Sequence, residues 1–463
     1  MHDDIAYLEL SQLAELLRTG RVTSVEVTTK MLERIDAVDP VLKSYALVLK
    51  DQALAEAAAA DAEIARGGYR GPLHGVPVAV KDLAYTQGIP TAAGTTIHAD
   101  FRPDFDATVV SRLREAGAVL LGKLRMTEGA YTSHHPDLPT PLNPWGHDTW
   151  TGSSSSGSGV AAAAGLAFAT LGSDTGGSIR LPSAQNGVTG LKPTWGRVSR
   201  HGVFTLAGSL DHIGPMCRSA KDAAIVLSAI AGRDEADPTS AVEPVPVYED
   251  SLRLESAPVV GLDPALLDLM DEETRTNILS AAEALREMGW TVLEVSTKGF
   301  VETAADWIGL CAVETAEYHA PTYPSRKDEY GPDLAGLIEK GLSLTATEYQ
   351  TMMERRRSFT GDMKRLFQDI DILLLPGTGL ASPTVEQMAT LGEDPALFTA
   401  LTIATAPIDN CGFPSITMPT GSTGRGTPLS VQFVGAPFSE QMLFAAGHTY
   451  QSHTDFHCTH PTV

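Results

Sequence analysis

The chain has 463 residues, 43% hydrophobic and 20% charged, so it can bury a sizeable core and is too long for one minimal domain. Its formal net charge of -23 at pH 7 repels nucleic-acid backbones and anionic membranes, and no basic patch offsets that charge. The composition therefore indicates a globular protein and excludes nucleic acid and membranes as partners.

The N-terminus and the cysteines both indicate a cytoplasmic protein. Met1–Leu10 opens with acidic residues and lacks the basic and apolar regions of a secretory signal. The most apolar long stretch, Val160–Leu171, has about half of the ~20 residues that span a membrane. Four cysteines lie far apart, with no CxxC pair and no histidine at metal-ligand spacing, which predicts reduced thiols and no bound metal: Cys217, Cys311, Cys411 and Cys458.

Helices are predicted for the first part of the chain. Leucines recur at helical spacing from Leu13, and Gly20 can end that helix. Thr23 and Glu26 have the spacing of a capping box for a second helix. Residues 1–66 are therefore expected to form a helical lead-in without chemistry of its own.

Short apolar runs then alternate with helix-like segments, which is a β-α-β rhythm. Helices are predicted at 107–117 and 271–288, and strands at 76–80, 118–121, 259–262, 291–295, 372–375, 415–418 and 429–434. This alternation predicts an α/β fold with a mixed, largely parallel central sheet covered by helices on both faces. We assign one domain to residues 1–463, with its catalytic core at 70–230.

Two later stretches have a different character. The acidic, proline-containing segment 232–258 is predicted to be a surface connection. Residues 300–367 are mainly helix-forming and are predicted to be a helical subregion over the active site.

A run of small residues, Thr151–Gly159, opens directly into an Ala-rich helical segment. Such a loop brings backbone N–H groups and hydroxyls close to a ligand. A flexible linker is one alternative, although linkers seldom lie inside a domain. A phosphate-binding loop is another, because Gly152 and Gly157 have Walker spacing, but Ser158 stands where that motif needs lysine.

Shortly downstream, Gly176 and Gly177 free the backbone in front of Ser178. Consecutive N–H groups can converge there, as an oxyanion hole requires, so Ser178 is a candidate nucleophile. An ordinary glycine-rich turn with Ser178 as a helix N-cap is the alternative.

A serine nucleophile needs a base, and none of the 13 histidines is placed by the sequence to serve. Lys81 ends an apolar strand, and burial lowers the pKa of a lysine until its neutral amine is a usable base. The alternative for a lysine at a strand end is an ordinary ion pair.

Together these segments resemble the amidase signature family. The run GSSSSGSGVAAAAGLAFATLGSDTGGSIRLP from Gly152 to Pro182 matches the family motif, a Gly/Ser-rich run followed after a fixed gap by Gly-x-Asp-x-Gly-Gly-Ser-[Ile/Val]-Arg-x-Pro. The resemblance extends over nearly the whole chain, through segments at 75–82, 190–199, 209–215 and 410–415.

The resemblance implies site roles residue by residue. Ser178 becomes the acyl-forming nucleophile, Ser154 the bridging serine on a cis peptide, and Lys81 the terminal base. The backbone N–H groups of the oxyanion hole are implied to be those of Thr175, Gly176, Gly177 and Ser178. No metal or organic cofactor is implied. Many relatives are homodimers, so a homodimer is an expectation at the level of the family.

Four further motif positions carry no chemistry in this interpretation. Asp174 and Arg180 match the motif, and we interpret them as a structural ion pair that shapes the loop. Ser153 stands where the family usually has glycine, and Asn186 where many members have a small residue or cysteine. We expect neither of these two to touch the triad.

The expected substrates are neutral, apolar or aryl amides, with esters and carbamates as further candidates. The weakly assigned substrate-binding residues share an apolar or small polar character: Met126, Tyr131, Ser155, Trp307 and Phe413. The alternative within the family is the glutamine-hydrolysing A subunit of a tRNA-dependent amidotransferase. Those proteins carry an Asp that grips the substrate amine where this chain has Thr402, and the acidic surface disfavours tRNA.

Overall fold

The computed structural model describes residues 5–463. The first four residues, part of the N-terminal segment in which a secretory signal is expected to be absent, lie outside that range. Helices are numbered in chain order: α1 Leu10–Arg18, α2 Ser24–Leu42, α3 Lys50–Ala65, α4 Thr108–Glu115, α5 Ser156–Ala163, α6 Arg180–Asn186, α7 Ala220–Ile230, α8 Pro264–Leu267, α9 Glu272–Glu287, α10 Phe300–His319, α11 Tyr323–Arg326, α12 Pro332–Ser343, α13 Ala346–Leu366, α14 Val385–Met388, α15 Pro395–Thr402, α16 Ala406–Cys411 and α17 Glu440–Thr454.

Eleven strands form one sheet across the described residues: β1 Tyr45–Val48, β2 Pro77–Lys81, β3 Val119–Leu124, β4 Ala169–Asp174, β5 Thr189–Lys192, β6 His212–Cys217, β7 Val259–Leu262, β8 Thr291–Glu294, β9 Ile372–Pro376, β10 Ser415–Ser422 and β11 Pro428–Val434. Their order is β1-β3-β2-β4-β6-β5-β10-β11-β9-β7-β8. Every residue of β2, β3, β4, β5, β6 and β9 is buried, as expected for a sheet covered on both faces.

The sheet is mixed, as predicted, and the α/β class is confirmed. The prediction that the sheet is largely parallel is wrong. Parallel pairing joins β3, β2 and β4 at one end and β9, β7 and β8 at the other. The strands between these groups pair antiparallel, as do β1 and β3. The predicted β-α-β alternation does not extend through the whole sheet. The antiparallel strands β10 and β11, for example, are connected by a short hairpin turn and not by a helix.

The lead-in contains the predicted helices and one strand that was not predicted. Thr23 and Glu26 form the capping box, with Glu26 N–H donating to Thr23 Oγ1 at 3.1 Å and Thr23 N–H to Glu26 Oε2 at 2.8 Å. Strand β1 then pairs antiparallel with β3. No helix among residues 5–463 combines the length and the apolar character needed to cross a membrane.

Four neighbouring elements position the site. The parallel strands β2 and β4 lie side by side, with Val80 opposite Leu171. Residues 151–155 immediately precede α5, and residues 175–179 connect β4 to α6. The two Gly/Ser-rich loops therefore lie close together, next to the carboxyl ends of β2 and β4.

Candidate active site

Lys81 lies at the carboxyl end of β2, where its amine is surrounded by hydroxyl groups. Its Nζ lies 2.6 Å from Ser154 Oγ, 2.9 Å from Ser155 Oγ and 2.8 Å from Ser173 Oγ. None of the ion pairs among residues 5–463 includes Lys81. Burial lowers its pKa from 10.5 to about 7, against the opposing charges of Asp174 and Asp211.

A neighbouring buried lysine shows what an ordinary ion pair looks like in this sheet. Lys123 Nζ on β3 lies 3.1 Å from Asp82 Oδ1 and also donates to Ala84 O and Thr91 Oγ1. Lys81 has hydroxyl partners in place of that carboxylate. The ion-pair alternative for Lys81 is therefore wrong.

The serine loop is tied to the neighbouring segments through its backbone. The Ser153–Ser154 peptide bond is cis. Thr127 N–H donates to Ser154 O at 3.2 Å, and Ser155 N–H donates to Ser178 O at 3.3 Å. These bonds bring the two serine-containing loops together beside Lys81.

The loop that carries Ser178 is shaped by one carboxylate. Asp174 accepts the N–H groups of Gly177 at 2.6 Å, Ile179 at 3.0 Å and Arg180 at 3.2 Å. The N–H groups of the other oxyanion candidates, Thr175, Gly176 and Ser178, have no acceptor within residues 5–463. Gly177 thus departs from the expectation that it supplies an oxyanion donor, because its N–H already donates to Asp174. The other three predicted donors are free.

Arg180 binds the carboxylate of Asp174, and all five of its N–H donors make hydrogen bonds. It donates to both Asp174 oxygens at 2.9 and 3.0 Å, to Thr405 O and Gln432 Oε1 at 3.0 Å, and to Asp409 Oδ2 at 2.5 Å. Burial favours protonation of Asp174, but the guanidinium of Arg180 holds the pKa of Asp174 well below its usual range. The pair predicted from the motif is present and fully buried.

A cavity opens in front of Ser178. It is lined by Ala130, Tyr131, Thr132, Ser153, Thr175, Gly176, Ser178, Leu181, Leu206, Trp307, Leu391, Phe398, Leu401 and Thr402. None of these described lining residues carries a charge. The wall is built from the loops after β3, β4 and β5, from α6 and α10, and from the α15 region.

Only some of the weakly assigned substrate-binding residues line the cavity. Tyr131 and Trp307 line the cavity, and Ser155 contacts Lys81 instead. Met126 and Phe413 were wrongly placed. Met126 is buried and lines a different cavity beside Asp82, and Phe413 packs in the core with its ring 5.6 Å from that of Phe367.

The two positions that depart from the family pattern also have defined places. Ser153 lines the same cavity as Ser178, and its side chain makes no hydrogen bond to Lys81, Ser154 or Ser178 within residues 5–463, so its lack of a role in the triad stays a prediction. Asn186 Nδ2 donates to Thr151 O and Pro182 O, both at 2.8 Å, and so fastens the serine loop to α6.

Sequence reasoning missed several residues of the site. Ser173 lies inside the recognised motif, and pairing of β2 with β4 would have placed it beside Lys81. Thr405, whose hydroxyl donates to Gly176 O at 2.7 Å, lies in a segment (404–413) that was expected to border the pocket, but it received no individual assignment. Nor did the apolar wall residues Leu206, Phe398 and Leu401. Among residues 5–463, no group of three or more His, Cys, Asp or Glu side chains is arranged to hold a metal ion.

The α/β fold and a buried lysine among serines define an enzyme of the amidase class. The amidase family model matches residues 26–444, so the chain belongs to the amidase family, the family that its motifs resemble. It is an amidase by class.

Similar proteins cover almost the entire chain. AmiD of Mycobacterium tuberculosis, named as an amidase, is 55% identical over 461 residues, which cover 100% of this chain and 97% of AmiD. The A subunit of the glutamyl-tRNA(Gln) amidotransferase of Moorella thermoacetica is 36% identical and covers 99% of both chains. The solved structure of the peptide amidase of Stenotrophomonas maltophilia has a TM-score of 0.81 at 31% identity, covering 96% of this chain and 97% of its own.

Proposed function

We propose that the protein hydrolyses the C–N bond of neutral, apolar or aryl amides through an acyl-enzyme on Ser178, with Ser154 relaying protons to Lys81. Aryl esters and carbamates are further candidate substrates. The observation that carries this proposal is the Lys81 amine, buried, unpaired with any described carboxylate and 2.6 Å from Ser154 Oγ.

The hydrogen bonds around Lys81 suit a neutral amine, which has two N–H donors and one lone pair. Ser155 Oγ donates to Ser173 O at 3.1 Å, so it can only accept from Lys81. Ser173 Oγ can accept the second N–H at 2.8 Å. The lone pair is then left for the hydroxyl of Ser154.

Acylation follows from that arrangement. Ser178 Oγ attacks the carbonyl carbon, its proton passes to Ser154 Oγ, and the Ser154 proton passes to the lone pair of Lys81. The carbonyl oxygen becomes an oxyanion that accepts from the free N–H groups of Thr175, Gly176 and Ser178. Oxyanion donors of this kind contribute about 3–4 kcal/mol each to transition-state stabilisation.

Collapse of the tetrahedral intermediate reverses the proton relay. Lys81 returns its proton through Ser154 to the leaving nitrogen, the C–N bond breaks, and an amine departs from the acyl-enzyme. Water then attacks the acyl carbon and gives its proton to the same relay. Ser178 Oγ is reprotonated as the acid leaves, so the enzyme returns to its starting state.

The cavity wall supports the choice of substrate. Leu181, Leu206, Trp307, Phe398 and Leu401 offer apolar contact, and the described lining residues contribute no charge that would bind an amino-acid zwitterion. Burying an aryl or alkyl group against such a wall is favourable, whereas burying an unpaired ammonium or carboxylate is costly.

The amidotransferase subunit is the second candidate, because a protein of that name is 36% identical over the whole chain. Thr402 is relevant to this candidate, since the family resemblance implies that those proteins have their amine-binding Asp at this position. Thr402 lines the cavity, and its hydroxyl donates to Phe398 O at 2.8 Å. With no carboxylate there and a net charge of -23, glutamine release for tRNA is disfavoured.

Product release from an aryl acylamide, an aryl ester, an aryl carbamate, acetamide and glutamine tests the proposal. We expect wild type to cleave the aryl amide, leave glutamine intact and lose activity in Ser178→Ala. Ser158→Ala is the matched control, because Ser158 Oγ donates to Leu171 O at 3.0 Å and is not among the hydroxyl partners of Lys81 within residues 5–463. Ammonia release from glutamine alone would favour the amidotransferase function, and full activity in Ser178→Ala would refute the nucleophile.

A further inference from the structure

Two side chains from distant parts of the chain hold the carbonyl groups of the loop that precedes Ser178. Trp307 Nε1 on α10 donates to Thr175 O at 2.7 Å. Thr405 Oγ1, just before α16, donates to Gly176 O at 2.7 Å. Both contacts are buried, and neither side chain touches Ser154 or Lys81 through a hydrogen bond.

Fixing a carbonyl also fixes the N–H of the same peptide group. A trans peptide is planar, and its C=O and N–H point in opposite directions. When Trp307 holds Thr175 O, the N–H of Gly176 must point away from α10. When Thr405 holds Gly176 O, the N–H of Gly177 points toward Asp174, where it donates at 2.6 Å. The orientation of the whole loop is therefore set from outside the loop.

Packing reinforces both contacts. A Cβ on Gly176 would lie 2.3 Å from the indole ring of Trp307, so the ring rests directly on the loop backbone. A Cβ on Gly177, whose φ is +133°, would lie 2.8 Å from Thr405 Oγ1. Glycine at both positions permits this close approach.

We infer that Trp307 and Thr405 are positioning residues that preorganise the oxyanion donors, an inference that rests on the proposed function. Trp307 acts on the peptide group that carries the Gly176 N–H, and Thr405 acts on the next peptide group, which lies between the Gly176 and Ser178 donors. Trp307 also lines the cavity, so the same ring forms part of the cavity wall and orients the Gly176 N–H. Preorganised donors stabilise charge that develops in the transition state and do little for ground-state binding. Loss of either hydrogen bond should lower the rate of acylation and leave KM nearly unchanged.

A fluorophosphonate probe tests this inference without knowledge of the natural substrate. Ser178 Oγ bonds to phosphorus, the P–F bond breaks, fluoride leaves, and the Ser178 proton passes to Ser154 and Lys81. The phosphoryl oxygen accepts from the oxyanion donors. The variants are Trp307→Phe, which removes only the N–H and part of the ring, Thr405→Val, which is isosteric without the hydroxyl, and Thr405→Ser, which retains it.

Trp145→Phe is the matched control, because Trp145 Nε1 makes the same kind of bond, to Asn186 O at 2.9 Å, away from Ser178. We expect labelling rates to fall roughly 10- to 100-fold in Trp307→Phe and Thr405→Val, less than removal of an oxyanion donor costs. Thr405→Ser and Trp145→Phe should label within about twofold of wild type. The turnover rate with the ester para-nitrophenyl acetate should fall in parallel in both variants, with KM unchanged in Thr405→Val, because Thr405 is not among the residues that line the cavity.

Equal losses in Trp145→Phe and Trp307→Phe would overturn the inference, as would a raised KM with an unchanged labelling rate. If Trp307→Phe does not fold, the Thr405→Val and Thr405→Ser pair decides, and equal rates in that pair contradict it. Failure of the proposed function has a different signature, namely labelling of Ser178→Ala at the wild-type rate.

Discussion

Lys81 Nζ lies 2.6 Å from Ser154 Oγ, with both groups buried and no carboxylate of residues 5–463 in an ion pair with the lysine. Because burial lowers the lysine pKa to about 7, the amine is largely protonated below that pH and cannot accept the serine proton. We therefore predict that kcat/KM for an aryl acylamide rises with pH through a midpoint near 7 and then levels. A pH–rate profile measures this, and an acidic limb near 10.5 or a flat profile would contradict it.

Ser155 should set the position of that acidic limb. Its hydroxyl oxygen accepts from Lys81 at 2.9 Å, and an acceptor stabilises the ammonium form more than the neutral amine. Ser155→Ala should therefore shift the limb to lower pH by about one unit, the equivalent of one hydrogen bond to a charged group. The same profile in Ser158→Ala should keep the wild-type midpoint, and a shift to higher pH in Ser155→Ala would refute the assignment of the acceptor.

Arg180 is predicted to dominate the stability of the site. Arg180→Met leaves the buried carboxylate of Asp174 without its partner, which costs about 3–5 kcal/mol of unfolding free energy. Arg180→Lys should restore little of it, because a single ammonium cannot replace five fixed donors. Chemical denaturation measures both, with Arg357→Met, in an exposed pair with Glu354, as the control. An Arg180→Met protein as stable as wild type would contradict the prediction.

Phe398 should select for aryl over small substrates. Phe398→Ala removes apolar wall from the cavity, so KM for an aryl acylamide should rise about tenfold while KM for acetamide stays unchanged. Steady-state kinetics on the two substrates measures the ratio. Phe456→Ala, outside the cavity wall and 37% exposed, should leave both values as they are. An equal rise for both substrates would show that Phe398 supports the fold and not selectivity.

Much of the fold followed from local patterns, and the exceptions have physical causes. Helices with clear periodicity or capping residues, such as that after Thr23, were predicted correctly. Strands β4, β5 and β6 were missed because their sequences, ATLGSD, TGLK and HIGPMC, contain glycine, proline and charge that favour turns in isolation. They form strands because neighbours on both sides supply hydrogen bonds. That context also makes the centre of the sheet antiparallel.

The candidate site divides in the same way. Lys81, Ser154 and Ser178 were located by motif, and the geometry brings Lys81 against Ser154 as that interpretation requires. The wall residues Leu206, Phe398 and Leu401 and the donor Thr405 come from segments whose approach to Ser178 depends on tertiary packing. Phe413 was placed in the pocket because an aromatic residue near a motif looks the same whether it faces a substrate or a core. Contacts between residues that are far apart in the sequence produce no local sequence pattern from which they could be predicted.

The five hydrogen bonds of Arg180 also constrain when the site can form. Three of its partners, Thr405, Asp409 and Gln432, follow it by 225, 229 and 252 residues. A growing chain on the ribosome thus contains the lysine and both serines of the proposed relay long before Arg180 has its full set of acceptors. Before Thr405 has been synthesised, Arg180 lacks three of its five hydrogen bonds, and the bond to Gln432 can form only once β11 is in place. A chain truncated before residue 400 should therefore be inactive although every proposed catalytic side chain is present.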